Sequence, residues 1–156
     1  MTPNSKHIFI QVNTDAIIEL YNKYGDRFPD GAILGQTILY EQGSLALGSP
    51  IKDMYLDVEA GQEVYLTILP LLLYGHDKVY FSDFIQESAK NIISDLPKFD
   101  SHILSYKIVV DENAVVGAEE RFGMKAVLEH AQDSDKPLVI DMTIDPVLRV
   151  IQRRQK

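Results

Sequence analysis

Hydrophobic and polar residues alternate with a period of two along most of this chain, and the breaks in that period place its turns. From His7 to Asn13, Ile8, Ile10 and Val12 share one face while Phe9 and Gln11 take the other, which predicts a strand. The pattern stops at Asn13-Thr14-Asp15, where a short polar side chain can accept an orphan backbone N–H and open a helix. Ala16, Ile17, Leu20, Tyr21 and Tyr24 follow at helical spacing, and Gly25 is placed to end the helix in a left-handed conformation. Asp26 to Gly35 holds Pro29, Asp30 and Gly31 and reads as loop. Strand signals return at Thr37 to Tyr40, and Gly43 and Gly48-Ser49-Pro50 punctuate the segment between there and Asp53. From Asp53 to Leu69 two alternating runs flank Ala60-Gly61. Met54, Leu56 and Val58 lead in, and Val64, Leu66 and Ile68 lead out, so the segment is a hairpin or a corner between sheets. Lys78 to Phe84 is a further strand with Val79 and Phe81 on one face.

Phe84 to Leu96 places Ile85, Ala89, Ile92, Ile93 and Leu96 on one helical face, which predicts a helix of about three turns ended by Pro97. Ile103 to Val110 returns to strand, and Asp111-Glu112-Asn113 is a turn. Ala118 to Gln132 has helical propensity, with Met124, Val127, Leu128 and Ala131 on one face and Gly123 counting against it. Leu138 to Ile144 alternates, Pro146 interrupts, and Val147 to Ile151 forms a last short strand for which Pro146 suggests an edge position. Parallel neighbours need a dozen or more residues at each crossover, and most links here are shorter. Alternating strands suit antiparallel sheets with one wet face. The expectation is an antiparallel β-sandwich of jelly-roll type, one domain over residues 1–156, with one to three short peripheral helices.

Composition narrows the function. The 156 residues are 46% hydrophobic and 24% charged, enough apolar material for a packed core and too much for disorder. Lys+Arg 15 against Asp+Glu 23 gives a net charge of −8, which argues against nucleic acid as a partner because the phosphate backbone demands a basic face. The absence of Cys excludes disulfides, thiolate metal sites and a Cys nucleophile. The N-terminal residues lack the basic-then-apolar form of a secretory signal. No run nears the roughly 20 apolar residues that span a bilayer, so the chain reads as soluble and cytoplasmic, without a membrane partner. Arg149, Arg153, Arg154 and Lys156 make a small basic end on an acidic body, either solvated or meeting an acidic patch on a neighbouring copy.

Candidate chemistry is sparse. No Gly-x-Ser-x-Gly elbow occurs, and Gly43-Ser44 and Gly48-Ser49 read as loop. Gly31 to Gly35 lacks the Lys and hydroxyl of a phosphate loop. His7, His76, His102 and His130 are isolated, without the short spacings of metal ligands, so surface or hydrogen-bonded roles are expected. Asp133-Ser134-Asp135 and Asp141 with Asp145 could offer oxygens to calcium, but the calcium-loop signature needs more carboxylates and a fixed Gly. No catalytic residue, metal or cofactor is therefore assigned. Tyr74-Gly75-His76-Asp77 lies between an apolar run and a strand, where a sandwich presents its end loops. Tyr74, His76 and Asp77 are candidates to hold a carbohydrate or another small polar ligand, the alternative being a turn whose Tyr packs on the core rim.

Three segments carry a family resemblance. Ile8-x-Ile10-x-Val12-Asn13-Thr14-Asp15-Ala16-Ile17-Ile18 resembles the opening strand and helix of the PixA/AidA-like inclusion-body proteins of bacteria. Leu56-x-Val58-x-x-Gly61-Gln62-x-Val64 is similar to that family's strand–Gly–strand segment, and Ile144-Asp145-Pro146-x-x-x-Val150 to its closing motif. Asp15, Gly61, Asp145 and Pro146 are the motif positions. Ile144 stands where the family has an aromatic residue, and the chain has no Trp, so no role for a Trp platform carries over. The resemblance implies a compact β-sandwich that accumulates as cytoplasmic inclusions, with no established catalytic residues and with carbohydrate as a candidate ligand. The expected function is a non-catalytic, self-associating protein, a homo-oligomer. The alternatives are a small acidic glycan hydrolase with an Asp/Glu pair, or an immunity-type protein that binds a basic partner.

Overall fold

The computed structural model describes residues 5–25, 27, 32, 34–41, 55–71, 77–86, 92–95, 103–131 and 137–152. The chain is mainly β. Its elements run β1 (Lys6–Val12), α1 (Thr14–Tyr24), a 3-10 turn (Leu34–Gln36), β2 (Thr37–Glu41), β3 (Tyr55–Val58), β4 (Glu63–Pro70), β5 (Lys78–Gln86), β6 (Ile93–Asp95), β7 (Ser105–Val110), β8 (Glu119–His130), β9 (Leu138–Ile144) and β10 (Val147–Val150). The first sheet has the order β2-β1-β4-β7-β6; the second runs β3-β10-β8-β5, with β9 also on β8.

The two-residue period holds. In β1, Ile8, Ile10 and Val12 are at most 1% exposed while His7, Phe9 and Gln11 are half-buried. Val64, Leu66 and Ile68 of β4 repeat this beside them. Phe122, Met124, Ala126 and Leu128 of β8 and Ile140, Met142 and Ile144 of β9 do the same in the second sheet. These side chains belong to one buried cluster that draws on both sheets. At about 25 cal/mol per Å² of apolar area, that burial is the main favourable contribution to folding. Phe81 of β5 meets Tyr106 of β7 edge-on at 4.8 Å, joining the two sheets through aromatic contact.

Polar links reinforce the join. Glu120 of β8 is fully buried, and its carboxylate accepts the backbone N–H of Ile93 in β6 at 3.2 Å. The Lys6 ammonium of β1 donates to the Asp57 carbonyl of β3. The Phe81 N–H donates to the Ile103 carbonyl just before β7, and the Ile68 N–H to the Leu104 carbonyl, so one short segment is bonded to both sheets.

Helix α1 forms where its caps require. The Asn13 side chain accepts from the Ala16 N–H at 3.3 Å, and Gly25, with φ 64°, donates its N–H to the Tyr21 carbonyl at 2.7 Å. Ile17 anchors it in the core. The segment around Gly61 is a corner, since β3 lies in the second sheet and β4 in the first. The Gln62 N–H donates to the Glu59 carbonyl, and Gly61 takes φ 78°, the third-position geometry of a type II turn.

Four expectations are corrected. The sheets are mixed, because β1 and β4 are parallel, as are β3 and β10. Those partners are far apart in sequence, so short links between successive strands do not restrict them. Ala118–Gln132 is not a helix: β8 occupies Glu119–His130, pairs with β5 on one edge and with β10 and β9 on the other. Burial of its even-numbered side chains outweighs the propensity of Glu, Met, Lys and Leu for helix. A single helix over 84–96 is likewise excluded, since β5 runs to Gln86 and β6 begins at Ile93. A bulge between Phe81 and Asp83 turns Phe84 toward the core, where it stacks on Phe122 at 5.3 Å.

Pro146 does not mark an edge, because β10 lies between β3 and β8. Ile144 stands opposite Met124 and Val147 opposite Arg121, so β9 and β10 keep one register along β8 across Asp145-Pro146. The Phe122 N–H still donates to the Pro146 carbonyl at 3.3 Å, so only the return bond of that pair is lost.

Glu120→Ala leaves the Ile93 N–H without this acceptor and is expected to lower unfolding stability by about 1–3 kcal/mol, whereas Glu120→Gln keeps an oxygen there and loses less. Urea midpoints at constant m-value measure the difference. An alanine variant as stable as the parent contradicts this role.

Candidate functional site

The start of β5 and the end of β8 bring two pairs of polar side chains to one end of the second sheet, one pair on each of its faces. Antiparallel pairing sets Lys78 opposite Glu129 and Tyr80 opposite Val127, with His130 following Glu129 on β8. On the other edge of β8, Asp141 of β9 stands opposite Val127. Val127 points away from the core side of β8, yet it is buried between these neighbours.

Asp77, just before β5, bonds to His130. Its carboxylate oxygen lies 2.5 Å from the imidazole Nδ1, with side-chain exposures of 10% for Asp77 and 34% for His130. The Tyr80 hydroxyl donates to the Glu129 carboxylate at 2.6 Å. That hydrogen bond, then burial, then the negative charges of Glu129 and Asp141 push the phenol up to about 12. Tyr80 therefore stays protonated at neutral pH and acts as a hydrogen-bond donor. The carboxylate fixes one nitrogen of His130 and leaves Nε2 as the second hydrogen-bonding position of the ring. Each pair can exchange hydrogen bonds with a polar ligand on its own face of the sheet.

Of the three candidate ligand residues, Asp77 is described and is engaged with His130. Tyr74 and His76 lie outside the described residues, as do His102, Gly43-Ser44, Gly48-Ser49, Gly31 and Asp133-Ser134-Asp135. Asp141 and Asp145 are exposed on β9 and immediately after it. Among the described residues, no three His, Asp or Glu side chains converge as a metal site. His7 stacks on Tyr65 across β1 and β4, with ring centroids 4.9 Å apart and planes at 11°.

The four motif residues sit at joints of the fold. Asp15 is exposed in the first turn of α1. Gly61 turns the corner into β4, and its N–H donates to the Val110 carbonyl at 3.1 Å. Because Lys6 pairs with Val64 and Val12 with Pro70, Asp15 and Gly61 mark opposite ends of the first sheet. Asp145 and the buried Pro146 join β9 to β10 in the second sheet. These positions shape the chain and do not converge on one site.

Arg149 is placed within β10, and its guanidinium is held by Asp57 of β3 at 2.8 Å and lies over the Tyr55 ring at 5.1 Å. It is thus engaged inside its own sheet. Arg153, Arg154 and Lys156 lie outside the described residues. The partnership of His130 and Tyr80 with Asp77 and Glu129 was missed because reading 118–132 as a helix removes β8 from beside β5. The alternation Phe122, Met124, Ala126, Leu128 was the available signal.

No family model matches the chain, and no curated protein matches it in sequence. Solved structures do: fifteen chains match it in fold. One is the crystal structure of the PixA inclusion body protein from Burkholderia cenocepacia J2315, with a TM-score of 0.67 at 11% identity over 96% of both chains. This chain is therefore PixA-like in fold over nearly its whole length. No helix among the described residues is long and apolar enough to cross a membrane.

The raised phenol of Tyr80 fixes an alkaline signature. Its folded value of about 12 exceeds the unfolded 10, so its stabilising contribution is fully present below pH 10 and is lost as pH rises through 12. Tyr80→Phe is expected to flatten the fall in stability between those values, followed by urea unfolding at stepped pH. An unchanged alkaline profile contradicts the assignment.

Proposed function

We propose that this chain is a non-catalytic, self-associating protein of the inclusion-body type, acting in the cytoplasm as a homo-oligomer. The supporting observation is the fold shared with the PixA inclusion body protein over 96% of both chains. Within this reading the two sheets stack as a β-sandwich of jelly-roll type, consistent with one core cluster drawn from both and with the Phe81–Tyr106 contact between them. A carbohydrate or other small polar ligand fits the hydrogen-bonding groups of Asp77 and His130.

Electrostatics sets the terms of assembly. At a net charge of −8, copies repel one another, so association draws on buried apolar surface or on the basic C-terminal residues meeting an acidic face. Salt screens exposed charges over about 8–10 Å at 0.1–0.15 M, and so relieves the repulsion. Sedimentation velocity is therefore expected to show species heavier than the monomer, growing with protein concentration and with salt up to the physiological range. A glycan array run beside it tests the ligand. A monomer at every concentration and salt level overturns self-association, and an array without binding overturns the carbohydrate reading.

A further inference from the structure

The two sheets differ in what they turn away from the core. On the second, alternate outward positions of β8 carry Glu119, Arg121, Lys125 and Glu129. On the first, the outward positions of β2, β1 and β4 are Ile38, Tyr40, Phe9, Tyr65 and Leu69, all half-buried, with polar uncharged residues between them. Phe9 lies opposite Tyr40, and Tyr65 stacks on His7, so an aromatic strip crosses three strands. Among the described side chains, the fixed charges on this face are Glu63 of β4 and Lys107 of β7, which pair with each other at 3.6 Å and have side chains 43% and 45% exposed. The face is open to solvent there and at the exposed Thr67–Ser105 hydrogen bond. Its described side chains thus form an aromatic and aliphatic strip among polar residues, and their charges cancel, on a molecule of net charge −8.

We infer that this outer face of the first sheet is the surface by which two copies of the chain associate, sheet against sheet; the inference rests on the self-association proposed above and assigns its location. Charge selects the face. Burying the outer face of the second sheet would strip water from many charged groups, a cost that pairing repays only with close geometry. Burying the first costs less, because the acid and base described on it already neutralise each other. Area sets the strength. With strands about 4.8 Å apart and about 3.3 Å of rise per residue, the five-stranded face presents roughly 500 Å². Two copies then cover on the order of 1,000 Å², the low end for a specific contact. The association is accordingly weak and concentration-dependent, which suits a protein that assembles only where it accumulates.

The test compares two lysine variants with the parent by sedimentation velocity, with circular dichroism confirming the fold. Tyr40→Lys places an unpaired charge in the proposed contact, and Thr143→Lys places the same charge on the outer face of the second sheet. Both lower the net negative charge equally, so general repulsion changes alike in each. Tyr40→Lys is expected to weaken association about tenfold or more, while Thr143→Lys leaves it as strong as the parent or stronger. If Tyr40→Lys does not fold, Ile38→Lys on the same strand takes its place. A parent that associates together with a Tyr40→Lys variant that associates equally well overturns this assignment and leaves self-association standing. A parent that stays monomeric throughout removes both.

Discussion

One apolar core, supplied from two sides by side chains at every second position, is the constraint on which the rest of the structure depends. β1, β4 and β7 contribute Ile8, Leu66 and Ile108 from the first sheet, and β8 and β9 contribute Leu128 and Ile140 from the second. A shift of any of these strands by one residue would turn its whole apolar set into water, so the core holds the register. The polar links between the sheets are secondary to it. Glu120 reaches Ile93 because the core has already brought β8 and β6 together, and its buried carboxylate demands a partner there.

Features determined by local chemistry were legible in the sequence. Asn13 and Gly25 bound α1, and Gly61 permits a turn that most side chains would strain. The alternation in β1, β4 and β9 needed no tertiary knowledge. Features determined by distant partners were not legible. Alternating strands look the same whether their neighbours run parallel or antiparallel, so the β1–β4 and β3–β10 pairings left no local trace. In β8, residues with high helix propensity are held extended because both of its edges are paired. Pro146 is tolerated just before an interior strand since it forfeits only one ladder bond there.

The candidate site was half legible for the same reason. Asp77 was singled out, but its partner His130 is more than fifty residues away and becomes its neighbour only through the β5–β8 pairing. Tyr80 and Glu129 meet by the same register. Their environment also divides the tyrosines: burial pushes the Tyr106 phenol well above its ordinary value, while Tyr80 owes its shift first to a carboxylate. The charged outer face of the second sheet keeps its ions hydrated, and the first sheet turns an uncharged aromatic strip outward.

Native-state hydrogen exchange tests the shared core most directly. Amides of β1 and β4 and those of β8 and β9 are expected to open at one common free energy with the same dependence on denaturant, because neither sheet keeps an apolar face dry without the other. A first sheet that retains its protection while β8 and β9 exchange freely would show two separable units, and would contradict the account.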